Sequence, residues 1–226
     1  MMKLKYFSNV EWALWLSSLL FIIISFLAFG GDGYLTLVAS LVGATSLIYC
    51  AKGNPIGQVL MIIFGALYGI ISYSFAYFGE MITYLGMTVP MAIVALVTWL
   101  KNPYKNNKSE VAVNKISKQE IVFMLCLSVL VTIIFYFILK ALGTANLLPS
   151  TVSVTTSFIA AYLTFRRSPY FAFVYALNDV VLIVLWVLAS IRDMSYVSTV
   201  VCFIIFLFND LYGFISWKRM QKRQSA

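Results

Sequence analysis

The sequence contains no histidine, and only 11% of its 226 residues are charged. Without histidine, His-based catalytic triads and most zinc sites are excluded. A soluble domain typically carries roughly 25% charged residues, so this chain has too little polar surface to coat a soluble globule. Cysteine is also scarce, and Cys50, Cys126 and Cys202 lie far apart in apolar stretches, which favours small buried side chains over disulfides or metal ligands.

Long apolar runs make up most of the chain, since 62% of its residues are hydrophobic. A membrane-spanning helix needs about 20 consecutive, mostly apolar residues. The first run could be a signal peptide, but it is longer than usual and lacks a clear small-x-small cleavage site. The sequence therefore predicts an all-α integral membrane protein with about eight transmembrane helices, at 12–29, 34–51, 55–78, 81–100, 120–142, 147–165, 169–191 and 196–217.

Basic residues lie between the apolar runs rather than along one helix face. This placement argues against nucleic acid binding in spite of the net charge of +8. With the N-terminus inside, 14 basic residues fall on the inner side and 2, Lys140 and Arg192, on the outer side. The inner residues are Lys3, Lys5, Lys52, Lys101, Lys105, Lys108, Lys115, Lys118, Arg166, Arg167, Lys218, Arg219, Lys222 and Arg223. The positive-inside rule thus predicts that both termini face the cytoplasm.

Three motifs recur in the same order in the two halves of the chain, at offsets of 109, 114 and 118 residues. They are the capping boxes Ser8–Glu11 and Ser117–Glu120, the basic turns with proline at 52–55 and 166–169, and the tryptophans Trp99 and Trp217. Four predicted helices separate the copies, so both copies enter the membrane in the same direction. The pattern predicts parallel repeats with a substrate site between them, near the bilayer midplane.

Two predicted helices carry an Asn-Asp pair at membrane depth, with a tryptophan seven residues after the aspartate. The members are Asn178, Asp179 and Trp186 in one helix and Asn209, Asp210 and Trp217 in the other. Seven residues are nearly two helical turns, so each aspartate shares a face with its tryptophan. Ionisable residues inside a membrane mark functional sites by default, although such groups also join helices without touching a ligand.

The first half adds four polar candidates for the site: Gln58, Tyr68, Tyr84 and Thr88. Trp99 and Trp217, next to basic residues, are predicted to be anchors at the membrane interface, and Trp186 a stacking surface. The hydroxyl-rich stretch 151–157 is predicted to be a packing surface. Gly79 and Glu80 are predicted to form a tight outer turn with a solvated carboxylate.

The predicted membrane core contains no lysine or arginine, which disfavours phosphorylated or carboxylated substrates. Aromatic faces can stack on a cation, and amides pair with amide and hydroxyl groups. The interior therefore predicts a small-molecule transporter, not an enzyme, without cofactor or metal. Its substrate is expected to be a neutral or cationic ring that carries hydroxyls or an amide.

Three stretches carry a family resemblance: KGNPIGQ from Lys52, YFGEMITYLGMTVP from Tyr77 and NDLYGFISW from Asn209, the last being the most specific. Together they resemble the PnuC family of bacterial nicotinamide riboside transporters. That family shares a 3+1+3 helix core with the SWEET sugar transporters. The resemblance implies an N-terminal helix at 1–33, three-helix repeats at 34–100 and 147–217, a basic cytoplasmic loop with a linker helix at 101–146, and a basic tail at 218–226.

The resemblance also implies how this chain would work. It implies facilitated diffusion of nicotinamide riboside by alternating access across a bacterial cytoplasmic (inner) membrane, a homotrimer, and trapping of the vitamin by a cytosolic kinase. The implied binding residues are Asn178, Trp186, Asn209 and Tyr212, with Gln58 and Thr88 from the first half, beside the further candidates Tyr68, Tyr84, Asp179 and Asp210. One departure is that Phe64-Gly65 stands where the repeat would place a second Asn-Asp pair.

Three alternatives stay open at this point. Asp179 or Asp210 could relay protons, which would make the protein a proton-coupled transporter. The substrate could be thiamine or riboflavin, which relatives carry on the same scaffold. An intramembrane enzyme acting on a lipid could use the two aspartates as metal ligands, although a single aspartate on each helix lacks the usual cluster of carboxylates.

Overall fold

Apolar helices make up most of the structure, a computed structural model that describes residues 6–29, 33–74, 78–144 and 146–226. A π-helical turn at Tyr84–Thr88 joins α4 to α5, and a 3₁₀ turn at Met194–Tyr196 precedes α9. Two short strands pair antiparallel between α5 and α6. The elements are α1 Asn9–Phe29, α2 Tyr34–Ala51, α3 Ile56–Ser74, α4 Phe78–Thr83, α5 Val89–Lys101, β1 Pro103–Tyr104, β2 Asn107–Val111, α6 Lys118–Ala141, α7 Leu147–Phe165, α8 Phe171–Ser190 and α9 Val197–Ser225.

Within the described residues, 8 helical segments are long and apolar enough to cross a membrane. This confirms the predicted spans, except that the third reaches 75–77, which lie outside the described residues. The fourth span, Gly79–Lys101, combines α4, the π turn and α5. The turn predicted at Gly79 and Glu80 is wrong, because both residues are helical. A Cβ at Gly79 would lie 2.6 Å from Thr144 Oγ1, so this glycine permits close packing rather than a turn.

The helices pack as two groups that meet along two seams. In the first group α3 contacts both α2 and α5, and in the second α8 contacts both α7 and α9. The seams are formed by α2 with α9 and by α5 with α7. Helix α1 lies against α2 and α9, while α6 lies against α7. Each seam thus joins the first helix of one group to the last helix of the other.

The two predicted capping boxes differ in the structure. At α1, Glu11 N donates to Ser8 Oγ (3.2 Å) and Ser8 N donates to Glu11 Oε2 (2.7 Å), which confirms the reciprocal pair. At α6, Glu120 N donates to Ser117 Oγ (3.2 Å), but the Glu120 carboxylate forms an ion pair with Arg166. The second box is therefore only half formed, since the Glu120 carboxylate is directed to Arg166 and not to Ser117 N.

The basic residues at 52, 101–118, 166–167 and 218–223 lie at one end of the bundle, which we call the basic end. Trp99 and Trp217 are packed against each other there, with ring centroids 5.4 Å apart and no exposed surface. Trp99 Nε1 donates to Thr164 O (2.9 Å), and Trp217 Nε1 donates to Cys50 O (2.8 Å). The prediction of interfacial anchors is wrong, since each indole instead bonds a helix of the opposite group.

Residues 107–114, which we call the clasp, cross the basic end and bond both helix groups. Val111 N donates to Gly53 O (2.9 Å) in the turn between α2 and α3. Asn114 N donates to Arg167 O (3.0 Å) in the turn between α7 and α8. Gln224 of α9 bonds the clasp as well, and Val111 is fully buried. The clasp therefore ties the two groups together at this end.

Candidate functional site

A small cavity of about 50 Å³ lies between the two helix groups. Both groups line it, and of the predicted site residues it brings together Tyr84, Thr88, Asn178, Asp179 and Asp210. The rest of its wall consists of Leu47, Met61, Glu80, Thr83, Ser153, Ser157, Tyr175 and Phe206. No lysine or arginine is among the lining residues that the structure describes, so this lining offers carboxyl, amide, hydroxyl and phenol groups without a basic partner.

Asn178 of α8 is held in one orientation by α7. Its Oδ1 accepts hydrogen bonds from Thr156 (2.7 Å), Ser157 (3.1 Å) and Ser153 (3.3 Å). No described residue accepts a hydrogen bond from its Nδ2, and the side chain lines the cavity. The amide nitrogen is therefore a fixed donor for an oxygen atom in the cavity.

Asp179 and Asp210 face each other from α8 and α9 across the cavity wall. Both are buried, and their carboxyl groups lie within hydrogen-bonding reach of each other. Asp179 Oδ2 has no hydrogen-bond partner among the described residues. A buried carboxyl oxygen without a partner is costly, so this one is available to a donor or a cation.

A stripe of four polar residues from one span completes the cavity: Glu80, Thr83, Tyr84 and Thr88. Positions three and four apart share a helix face, which accounts for Glu80, Thr83 and Tyr84. The π turn at Tyr84–Thr88 inserts an extra residue per turn and keeps Thr88 on the same face. π turns of this kind occur frequently at functional sites.

A larger cavity of about 430 Å³, which we call the vestibule, opens at the end opposite the basic end. Trp186 and Tyr196 line it, with ring centroids 5.4 Å apart. Tyr68 lies between the vestibule and the small cavity, 6.4 Å from Trp186 and 4.5 Å from Tyr84 by ring centroids. Aromatic faces thus form a continuous series from the vestibule to the small cavity.

Charged groups of both signs lie at the vestibule. Glu80 and Arg192 are among its lining residues. Next to Arg192, Ser195 N donates to Asp193 Oδ1 (2.9 Å), and this backbone hydrogen bond holds the pKa of Asp193 below its usual value. Asp193 is therefore ionised at neutral pH beside the arginine.

Four predicted site residues line neither cavity: Tyr68, which lies between the two, and Gln58, Asn209 and Tyr212. Gln58 donates to Cys50 Sγ (3.3 Å) within the first helix group. Asn209 Nδ2 donates to Ser18 Oγ of α1 (2.9 Å), and Tyr212 OH donates to Glu11 Oε1 (3.1 Å). Asn209 and Tyr212 therefore join α9 to α1 in this structure. The role of all these residues in binding stays a prediction.

Several lining residues were not among the predicted site residues. Tyr175 precedes Asn178 and Asp179 by three and four positions, so helical spacing alone could have found it. Ser153 and Ser157 belong to the stretch predicted to be a packing surface, and they both pack against α8 and line the cavity. Glu80 was not predicted as a site residue, because the sequence pattern indicated a solvated turn at this position. Among the described residues, no group of three His, Cys, Asp or Glu side chains is arranged to hold a metal ion.

A polar cavity between two groups of membrane-spanning helices is typical of a membrane transport protein. This chain belongs to the PnuC family, since the sequence profile described as nicotinamide mononucleotide transporter matches residues 33–219. It is 26% identical over 218 residues to the nicotinamide riboside transporter PnuC of Neisseria mucosa, a match that covers 95% of this chain and 83% of the relative.

The fold is similar to that in a crystal structure of the vitamin B3 transporter PnuC. The TM-score is 0.83, and the match covers 96% of this chain and 94% of the other, at 24% sequence identity. The all-helical architecture is therefore that of the family.

Proposed function

We propose that this chain transports nicotinamide riboside by facilitated diffusion. The observation that carries the proposal is the small cavity between the two helix groups. Its described lining residues are acidic, amide, hydroxyl, aromatic and apolar, and none of them is basic. Nicotinamide riboside is a pyridinium cation with an amide and ribose hydroxyls. Its charge suits the carboxyl groups, and its amide and hydroxyls suit Asn178 and the hydroxyl side chains.

The same lining favours the riboside over its phosphorylated form. The family profile is described as a mononucleotide transporter, whereas the Neisseria mucosa relative is named for the riboside. A phosphate in this cavity would face Glu80, Asp179 and Asp210 without a cationic partner. Burying an anion there would be strongly unfavourable.

Of the predicted binding residues, Asn178, Asp179, Asp210, Tyr84 and Thr88 are proposed to form the central site. Tyr68 and Trp186 are proposed to guide the ring between the vestibule and that site. Gln58, Asn209 and Tyr212 would take part only if the helices rearranged, because they bond other residues here.

Transport by alternating access is supported by the difference between the two ends. A pocket for a drug-sized ligand measures roughly 300–1,000 Å³. The vestibule, at about 430 Å³, is large enough, while the small cavity of about 50 Å³ has to widen before it can take the substrate. At the basic end, Trp99, Trp217 and the clasp close the path.

We infer further that the basic end is cytoplasmic, by the positive-inside rule, and that the helix groups are parallel repeats of a 3+1+3, SWEET-like core. The hydrogen bonds of the two tryptophans support the repeat. Trp99 bonds the end of α7 and Trp217 bonds the end of α2, which are equivalent positions in opposite groups. A homotrimer, the inner membrane of a bacterium and trapping by a cytosolic riboside kinase remain part of this proposal.

Uptake into proteoliposomes tests the function. Protein in liposomes should equilibrate labelled nicotinamide riboside without an ion gradient. Asn178→Ala should lower the initial rate about tenfold or more, which corresponds to loss of about one well-placed hydrogen bond in the binding site. Asn9→Ala, at an exposed position where α1 begins, is the matched control and should transport normally. Uptake by Asn178→Ala at the control rate would contradict the central site.

A second candidate, proton-coupled transport, is favoured by the facing pair Asp179 and Asp210, because two adjacent carboxyl groups can share and relay a proton. The same liposomes decide between the two mechanisms. Accumulation above equilibrium driven by an imposed pH gradient, and abolished by Asp179→Asn, would select proton coupling. Equilibration that ignores the gradient would select facilitated diffusion.

A further inference from the structure

Glu80 is shared by the two cavities, since it lines both the vestibule and the small cavity. A solute that moves from one to the other therefore passes its carboxylate. Glu80 also begins the polar stripe that leads through Thr83 and Tyr84 to Thr88.

The Glu80 carboxylate differs from the other glutamates in having no partner among the residues that the structure describes. Glu11 pairs with Lys52, Glu110 with Arg223 and Glu120 with Arg166. In the described part of the chain, no residue donates a hydrogen bond to the Glu80 carboxylate or forms an ion pair with it. A carboxylate within a membrane span that has no partner among these residues is suited to a partner that arrives from outside.

The charges around this position favour a cation. On the side of the small cavity, Asp179 and Asp210 add two further carboxyl groups. On the side of the vestibule, Arg192 is the one basic residue of the described lining, and the ionised Asp193 follows it in the chain. Tyr84 lies one turn beyond Glu80 and offers an aromatic face to the same ligand.

We propose that Glu80 is the residue that selects for positive charge, by pairing with the cationic ring of the substrate as it passes from the vestibule to the small cavity. The inference rests on the proposed function and adds a specificity-determining residue to it. A neutral ring with the same amide and hydroxyls would use the other contacts and would gain nothing from the carboxylate.

The test compares two ligands that differ in ring charge. Nicotinamide riboside is the cation, and its reduced form, in which the ring has gained a hydride, is neutral with the same ribose and amide. Binding of both to purified protein is measured by calorimetry. We expect the wild type to prefer the cation, and Glu80→Gln to lose about tenfold or more of its affinity for the cation while keeping its affinity for the neutral ligand.

Glu120→Gln is the matched control, because it removes a carboxylate of the same kind from the basic end. It should leave the ratio of the two affinities unchanged. Glu80→Asp keeps the charge on a shorter side chain, so its preference for the cation should fall by less than that of Glu80→Gln. If Glu80→Gln does not fold, Glu80→Asp decides: a reduced preference supports the proposal and an unchanged one overturns it.

The outcomes separate this inference from the proposed function. A wild type that binds neither ligand would refute the proposed function and the inference with it. A wild type that binds the cation, with an unchanged ratio in Glu80→Gln, would overturn the inference alone. Equal loss of both ligands in Glu80→Gln would also overturn it, because that result would indicate a structural role.

Discussion

Gln224, near the end of α9, is the residue whose removal should open the clasp. Its Oε1 accepts from Val113 N (2.7 Å), and its Nε2 donates to Glu110 Oε1 (2.7 Å) and Val111 O (3.1 Å). Gln224→Ala removes all three hydrogen bonds. Because Gln224 is half-exposed, each bond is taken at the low end of the usual range, about 0.5 kcal/mol, which gives about 1.5 kcal/mol in total.

That loss corresponds to roughly a tenfold increase in the open fraction of the clasp. Hydrogen exchange measures this fraction through the amides of Val111 and Ala112, which bond Gly53 O and Asn102 O rather than Gln224. Their exchange should become about ten times faster in Gln224→Ala if the clasp opens as one unit. The Val113 amide is not diagnostic, because it loses its own acceptor.

Gln221→Ala is the control for this experiment, since it is the same change one turn earlier on the same helix. Gln221 bonds Lys218 (3.2 Å) and not the clasp, so exchange at Val111 and Ala112 should stay at the wild-type rate. Wild-type exchange at these two amides in Gln224→Ala would refute the reasoning, because it would show that Gln224 does not hold the clasp closed.

Two further predictions concern the packing of the helix groups, and thermal unfolding in detergent checks both. A Cβ at Gly57 would lie 2.6 Å from the backbone nitrogen of Cys50, so Gly57→Ala should destabilise the protein by about 1–3 kcal/mol. A Cβ at Gly213 would lie 3.4 Å from its nearest neighbour, so Gly213→Ala should be tolerated. Equal melting temperatures for these two variants would contradict the packing. Trp217→Phe and Trp99→Phe should each lower the free energy of unfolding by about 0.6–1.7 kcal/mol, because each removes one buried interhelical hydrogen bond. A clear difference between the two losses would argue against equivalent roles for the two tryptophans.

The predicted spans agree with the observed helices because the length and hydrophobicity of a membrane helix are properties of the segment itself. Each run of about 20 apolar residues satisfies its own backbone hydrogen bonds in lipid, whatever its neighbours are. The two Asn-Asp sequences, at 178–179 and 209–210, were likewise visible along the chain. Asn178, Asp179 and Asp210 do meet at one cavity.

The direction of individual side chains was harder to predict. Asn209 and Asp210 are adjacent in sequence, yet Asp210 lines the small cavity while Asn209 bonds Ser18 of α1. Trp99 and Trp217 were predicted to lie at the interface, and they are buried between the helix groups. In helices that are apolar on every side, hydrophobicity does not distinguish the face that meets protein from the face that meets lipid.

The linear order of apolar and charged residues was therefore enough for the number of spans, the clustering of basic residues at one end and the chemical character of the interior. Rotation of each helix about its axis, and the partner that each polar group finds, depend on contacts between segments far apart in sequence. Those contacts place Glu80 at both cavities and bring Asn209 and Tyr212 into hydrogen bonds with α1. They also let the clasp join both helix groups. Such contacts form only when the helices pack, because the partner of each polar group lies on another helix, far away in the sequence.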